Sequence, residues 1–140
     1  MNDIKKQFYI STYSGKYFDP EKPGMEDIDI NDIAHALSML ARANGHFEDF
    51  FSVGAHSVNC ALESMARGNS PKVSLACLLH DGAEAYIGDM TRPLKIRFPK
   101  FKEIEVALQN VIFQKYANIE TFPPPYWNEV MDIDNSMLFF

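Results

Sequence analysis

The residues of this chain best suited to chemistry are His56, the adjacent pair His80-Asp81, and Asp134. Two imidazoles and two carboxylates, scattered in sequence, are the ligand set that one divalent ion asks for. Neutral imidazole suits transition metals, and carboxylates offset the ion's charge, so the set tolerates Mn, Co, Fe, Ni, Zn or Mg. If the fold brings these four together, the chemistry is metal-dependent hydrolysis.

Asp81 needs a partner on energetic grounds as well. It ends the apolar run Val73 to Leu79, and a desolvated carboxylate there is costly unless it is paired or bound to metal. Neighbouring residues on a helix point about 100° apart. His80 and Asp81 therefore reach one ion most easily where a helix ends, and Gly82 supplies that break.

The elements that must position these groups follow from the pattern. Residues 7 to 19 read as a hairpin, with Phe8-Tyr9-Ile10 and Lys16-Tyr17-Phe18 flanking the turn signal Ser14-Gly15. Asp29 or Asn31 caps a first helix to about Ala43, with Ile33, Ala34, Leu37 and Leu40 or Ala41 as its apolar stripe. Asn44-Gly45 ends it. A second helix, Ser52 to Ala66, turns Val53, Ala61, Leu62 and Met65 inward and carries His56 beside the Val53 face. Ser70 and Pro71 start a third helix, running to about Asp81, that is apolar enough to be central and buried.

A short helical turn lies between Gly82 and Gly88, and residues 88–93 read as a loop. An amphipathic helix runs from Pro99 to Tyr116 through Phe101, Ile104, Leu108, Val111 and Ile112. Pro123-Pro124-Pro125 is a rigid spacer. A last helix begins near Trp127, where helix phase groups Asp134 with Val130 and Met137 or Leu138. Asp132 sits roughly 200° away and looks outward, so Asp134 is the better ligand. The expected fold is an all-α bundle in one domain over residues 1–140. The hairpin and its loop occupy residues 1–28 and the helical bundle residues 29–140.

Composition narrows the function classes. At 140 residues and 46% apolar content the chain suits one folded domain. A net charge of -6 argues against a grip on duplex nucleic acid. A small phosphorylated substrate stays open, because a pocket can be locally basic. Cys60 and Cys77 lie in apolar helical contexts and read as reduced thiols. No apolar run approaches the ~20 residues of a membrane span and the N-terminus has no signal-peptide core, so a cytoplasmic protein is expected, without membrane contact.

Several stretches in order carry a family likeness. They are Asp32-Ile33-Ala34-His35-Ala36-Leu37-Ser38, Arg42 with Asn44-Gly45-His46, and Ser52-Val53-Gly54-Ala55-His56-Ser57. They continue through His80-Asp81-Gly82-Ala83-Glu84-Ala85 and Gly88-Asp89-Met90-Thr91-Arg92-Pro93-Leu94-Lys95, and end at Asp134-Asn135-Ser136-Met137-Leu138. Over nearly its whole length the sequence resembles the HD-domain metal-dependent phosphohydrolases, most closely the nucleotidase-like, 5'-deoxynucleotidase branch of bacteria and phages.

The resemblance implies one divalent ion held by His56, His80, Asp81 and Asp134. It implies that Glu84 and Asp89 act on the attacking water and the phosphate ester. About one turn beyond His80, Glu84 is placed to work on the water, and Asp89, in the loop after Gly88, to donate a proton to the leaving oxygen if neighbouring acids raise its pKa. Arg42 matches the family's phosphate-side arginine, and its planar guanidinium suits bidentate contact. His46, Lys95 and Arg92 are further candidate cations, Arg92 reading equally as a solvated loop charge. Cys60, one turn from His56, reads as a buried thiol, and His35 as a packing residue.

The implied reaction is hydrolysis of a nucleotide, a (deoxy)nucleoside 5'-monophosphate, by metal-activated water. A nucleoside triphosphate triphosphohydrolase, an alarmone pyrophosphohydrolase, and a catalytically weak nucleotide sensor are the alternatives. The family's last helix is longer and often joins two subunits. Here the chain stops at Met137-Leu138-Phe139-Phe140, an apolar end expected either to mark a shortened form or to dock in a partner, with a homodimer as the candidate assembly.

Overall fold

The computed structural model describes residues 2–138. The chain is mostly helical with a small antiparallel pair of strands near its N-terminus, as the sequence pattern leads one to expect. A short helix absent from the sequence reading, α1 (Asp3–Lys6), precedes the strands β1 (Ile10–Ser11) and β2 (Tyr17–Phe18). Ile10 faces Phe18 and Ser11 faces Tyr17. The hairpin is tied to the bundle through its turn. Ser14 donates its N–H and its hydroxyl to the two carboxylate oxygens of buried Asp32, at 2.7 and 2.8 Å.

Helix α2 (Ile30–Met39) starts at Asp29, whose carboxylate accepts the Asn31 N–H at 2.8 Å. It stops earlier than Ala43. The chain turns extended at Leu40, and Ala41 pairs with Ser52 in a β-bridge, Arg42 N–H donating to Phe51 at 2.8 Å and Val53 N–H to Leu40 at 2.9 Å. These partners are non-local, so no helix-stop signal in the sequence announces them. Ala34 is exposed; Ile33 and Leu37 carry the buried stripe.

Helix α3 (Val53–Ala66) is capped by the Ser52 hydroxyl, and α4 (Pro71–Leu79) by that of Ser70. The two pack side by side, and α4 also lies against two later helices, which makes it the centre of the bundle. The buried face of α3 corrects the hydropathy reading. Leu62 and Met65 are 57% and 64% exposed, while Val53, His56, Ser57, Cys60 and Ser64 are buried. The polar residues occupy the i, i+3/i+4 positions that normally hold aliphatics. His56 and Ser64 find partners on other helices, Ser64 bonding Ser74 across the α3–α4 contact at 2.9 Å, whereas the Ser57 hydroxyl has none among the described residues.

After α4 a tight turn carries residues 80–83 into α5 (Glu84–Ile87). Gly88, at φ 76°, closes it. The loop that follows is shorter than residues 88–93, because Arg92 and Pro93 open a further helix, α6 (Arg92–Arg97), with proline tolerated in its first turn. Then come α7 (Pro99–Ala117) and α8 (Trp127–Ser136). Alpha4 rests on both, and a cluster of Phe113, Phe122 and Trp127 seals the α7–α8 corner. No described helix is long and apolar enough to cross a membrane.

Candidate metal centre

Three helices and one turn deliver the chemistry-bearing groups to one place. His56 is wholly buried on α3, His80 follows the last residue of α4, Asp81 is next in the turn, and Asp134 comes from α8. The Asp134 Oδ1 lies 2.7 Å from His56 Nε2 and 3.1 Å from His80 Nε2. The Asp81 Oδ2 lies 3.2 Å from His80 Nε2 and 3.9 Å from His56 Nε2. Ligands to one ion with bonds of about 2.0–2.3 Å stand roughly 3–3.7 Å apart; both His80 contacts fall in that spacing, while the His56–Asp134 contact is shorter and the His56–Asp81 contact longer.

The turn fixes which nitrogen of His80 is available. Its Nδ1–H donates to the Cys77 carbonyl at 2.6 Å, since a carbonyl can only accept. The Nε2 edge is therefore the one turned to the carboxylates, the orientation a metal-binding histidine needs. Burial opposes charge on His80, yet Asp81 and Asp134 outweigh it and raise its pKa to about 9. Burial likewise opposes ionisation of Asp134, but hydrogen bonds from His56 and His80 hold its carboxyl well below the usual carboxylate range. In the metal-free chain a proton on the imidazole side thus does the bridging that a divalent ion would do.

Cys60 joins this group. One donor atom each from His56, Cys60, His80 and Asp134 lie within 4.8 Å of one another, an arrangement consistent with a single metal ion. The Cys60 sulfur, however, is 3.4 Å from His56 Nε2 and 3.8 Å from its Nδ1. A donor lying out along the Nε2 lone pair would be much farther from Nδ1, so the sulfur sits beside the ring rather than in line with that lone pair. Burial, with Asp134 and Asp81 nearby, pushes the thiol up to about 12. The Cys60 sulfur therefore meets the ring of His56, while Asp81 approaches His80 Nε2 from the turn at 3.2 Å.

Asp134 is held from both sides of α8. Val130 and Ile133 are buried beneath it. Arg67, at the end of α3, bonds Asp132 at 2.9 Å and the Ser136 hydroxyl at 2.8 Å, and is itself braced by Glu63 at 2.7 Å. Asp132 is 77% exposed, the outward position that helix phase assigns it. Arg42 also reaches the Leu138 carbonyl, at 3.4 Å. Phe139 and Phe140, the end of the apolar tail in the sequence reading, lie outside the described residues. The Arg67 contacts with Glu63 and Asp132 are exposed ion pairs, screened by solvent, so Arg67→Ala is expected to have little effect on stability. Its sharper effect should be a several-fold weaker divalent-ion affinity from a looser Asp134, measurable by calorimetric titration.

A cavity of about 960 Å³ opens beside this cluster. His80, Asp81 and Asp134 form one wall, together with Arg42, Glu84, Asp89 and Lys95, and Phe47, Phe122, Trp127 and Met131 give it apolar surface. The guanidinium of Arg42 stands 4.0 Å from Asp81, with its Nε buried and unpaired among the described residues. Lys95 bonds Glu105 at 2.8 Å. Burial is the main force raising Glu84, to about 10, with Asp81, Asp89 and Glu105 adding to it and Lys95 opposing it. Glu84 therefore holds its proton tightly.

Not every expected cation arrives. His46 is exposed, closes the turn at residues 42–45, and does not line the cavity, because its backbone is spent capping that turn through the Ala43 carbonyl. Arg92 does line it, although exposed. His35 stacks on Tyr13, ring centres 3.8 Å apart, and so packs the hairpin against α2. Gln109 and Trp127 were passed over in the sequence. A glutamine in the buried phase of α7, between Leu108 and Ile112, is the one signal that could have exposed the first.

No protein-family model matches the chain. It is similar to the uncharacterized protein YfdR of Escherichia coli K12, 37% identical over 130 residues, which cover 93% of this chain and 68% of that protein. It is also similar to the uncharacterized protein RCAP_rcc00048 of Rhodobacter capsulatus, 36% identical over 126 residues, 86% of this chain and 64% of that protein. The chain thus spans about two thirds of the length of these relatives.

Proposed function

We propose that this chain, which belongs to the family of the Escherichia coli protein YfdR, is a metal-dependent phosphohydrolase of the HD-domain type that removes phosphate from a nucleoside 5'-monophosphate. The observation that carries this proposal is the meeting of His56, His80, Asp81 and Asp134 beside a cavity that also holds Arg42, Glu84 and Asp89. A cavity of about 960 Å³ is of the size that small-molecule sites have, about 300–1,000 Å³. Its apolar part, formed by Phe122, Trp127 and Met131, suits a base and pentose. Its Arg42 end suits a phosphate.

His56, His80, Asp81 and Asp134 would hold the ion. When bound, a divalent ion supplies Lewis acidity, making water more nucleophilic and offsetting charge on phosphoryl oxygens. Arg42, which lines the cavity, offers its guanidinium to a phosphate oxygen, which counters the repulsion an acidic cluster would otherwise exert. Glu84 handles the proton: its high affinity for one makes it a capable base once ionised. Water adds to phosphorus and gives its proton to ionised Glu84, the P–O bond to the ester oxygen breaks, and that same proton passes to the leaving oxygen, with Asp89 as a second carboxylate beside Glu84 to relay it.

Turnover of a nucleotide panel with Mn²⁺ or Co²⁺ tests this. Phosphate release from 5'-monophosphates is expected, with Glu84→Gln lowering kcat by about 10²–10⁴-fold while metal content stays unchanged. Tight nucleotide binding without release of phosphate, pyrophosphate or triphosphate under either ion would replace the enzyme with a nucleotide sensor.

A further inference from the structure

The doublet His80-Asp81 sits where α4 stops and α5 has not begun, the place where helix ends leave backbone groups without partners. One side chain answers at both ends. Gln109, 3% exposed on α7, donates its Nε2–H to the Leu79 carbonyl at 2.7 Å and accepts the Ala83 N–H on its Oε1 at 3.1 Å. Its two amide ends have different partners, one an acceptor and one a donor, so the amide fits in a single orientation. The Leu79 carbonyl also accepts the Gly82 N–H at 2.9 Å, which fills both of its lone pairs.

The same helix presses on the turn. A Cβ on Gly82 would meet the Leu79 carbonyl oxygen at 3.0 Å and the Ile112 side chain at 3.2 Å. Between the two backbone groups that Gln109 holds lie His80 and Asp81. Both of them face the cluster, while Gln109 bonds the backbone on either side of them.

We infer that Gln109 is the positioning residue of the doublet: by clamping Leu79 and Ala83 from α7 it sets the geometry in which His80 and Asp81 present their donors to a divalent ion. This rests on the metal reading above. Removing the clamp leaves a buried carbonyl one bond short and a buried N–H without a partner. The turn then relaxes, and the two ligands move off the positions that match His56 and Asp134. Groups that orient ligands without touching the metal typically alter its affinity by about 10–100-fold when lost.

The experiment titrates Co²⁺ into metal-stripped wild type, Gln109→Leu, Gln109→Glu and a control, Ile28→Ala, which removes buried volume outside the turn. Affinity is read by calorimetry, ligand geometry by the visible d–d spectrum, and stability by melting. Gln109→Leu should weaken Co²⁺ by about tenfold or more and shift the d–d bands. Gln109→Glu keeps the acceptor for Ala83 but loses the donor to Leu79. It should fall between, and it serves if the leucine variant does not fold. Ile28→Ala should lower the melting temperature with affinity and spectrum unchanged.

Wild-type affinity and spectrum in the Gln109 variants would overturn the inference alone. Equal loss of affinity in the Ile28→Ala control would overturn it too, as a general effect of instability. A wild-type chain that takes up no Co²⁺ would overturn the metal reading and this inference together.

Discussion

Replacing Asp134 with alanine is expected to cost the chain its divalent-ion binding, with Asp132→Ala, two residues away, leaving it intact. Of the two carboxylates, Asp134 lies closer to both imidazoles, at 2.7 and 3.1 Å, against 3.9 and 3.2 Å for Asp81. Removing one partner of a buried charged set costs about 3–5 kcal/mol. As a binding free energy that is about a hundred- to several-thousand-fold in affinity. Asp132 bonds only Arg67 at the surface, so its loss should be worth no more than about 1 kcal/mol of stability. Equilibrium dialysis followed by metal analysis of both variants separates the cases. Equal metal content in Asp134→Ala and Asp132→Ala would remove Asp134 from the ligand set.

The second large effect concerns pH. In the metal-free chain His80 binds its proton more tightly than its ordinary 6.5, at about 9. Its contribution to stability is therefore fully present below pH 6.5 and is lost as pH rises through 9. Glu84, raised from 4.5 to about 10, resists ionisation in the fold, so its burial costs increasing stability as pH climbs through the same range. Asp134, held low, contributes stability above its ordinary 3.8 that is lost only on acidification.

Between pH 6.5 and 9 the first two act in the same direction, each limited to about 1.4 kcal/mol per pH unit. The metal-free melting temperature should fall steadily across that interval. Saturating Mn²⁺ or Zn²⁺ should reverse the trend, because an ion needs the deprotonated ligands and binds more tightly as pH rises. The gap in melting temperature between loaded and stripped protein should widen from pH 6.5 to 9. A metal-free melting temperature that is flat over this interval would show that the cluster is not coupled to protons in this way.

Local rules carried the sequence reading wherever the determinant was local. Asp29, Ser52 and Ser70 cap helices because an oxygen beside the first turn meets an otherwise unpaired N–H, and Pro71 and Pro99 begin helices because they give up nothing there. The aromatic arms around Ser14-Gly15 form a hairpin, though each strand is only two residues long. Helix phase alone separates Asp134, facing the imidazoles, from exposed Asp132.

The misreadings share a cause in long-range contacts. The early end of α2 depends on a bridge between Ala41 and Ser52, and no propensity reports a partner ten or more residues away. The inward face of α3 went to the wrong residues because hydropathy ranks Leu62 and Met65 above His56, Ser57, Cys60 and Ser64. The fold buries His56, Cys60 and Ser64 with partners, namely Asp134, the His56 ring and Ser74, while the Ser57 hydroxyl is buried with no hydrogen-bond partner among the described residues. Gln109 escaped attention for the same reason: its partners are backbone groups some thirty residues upstream.

Anomalous diffraction from crystals grown with Zn²⁺ or Mn²⁺, collected at the metal edge, addresses the four-ligand centre most directly. One peak is expected per chain, about 2.0–2.3 Å from His56 Nε2, His80 Nε2, Asp81 Oδ2 and Asp134 Oδ1, with the Cys60 sulfur outside bonding distance. A peak elsewhere, none at all, or one bonded to Cys60 with Asp81 turned away would contradict it.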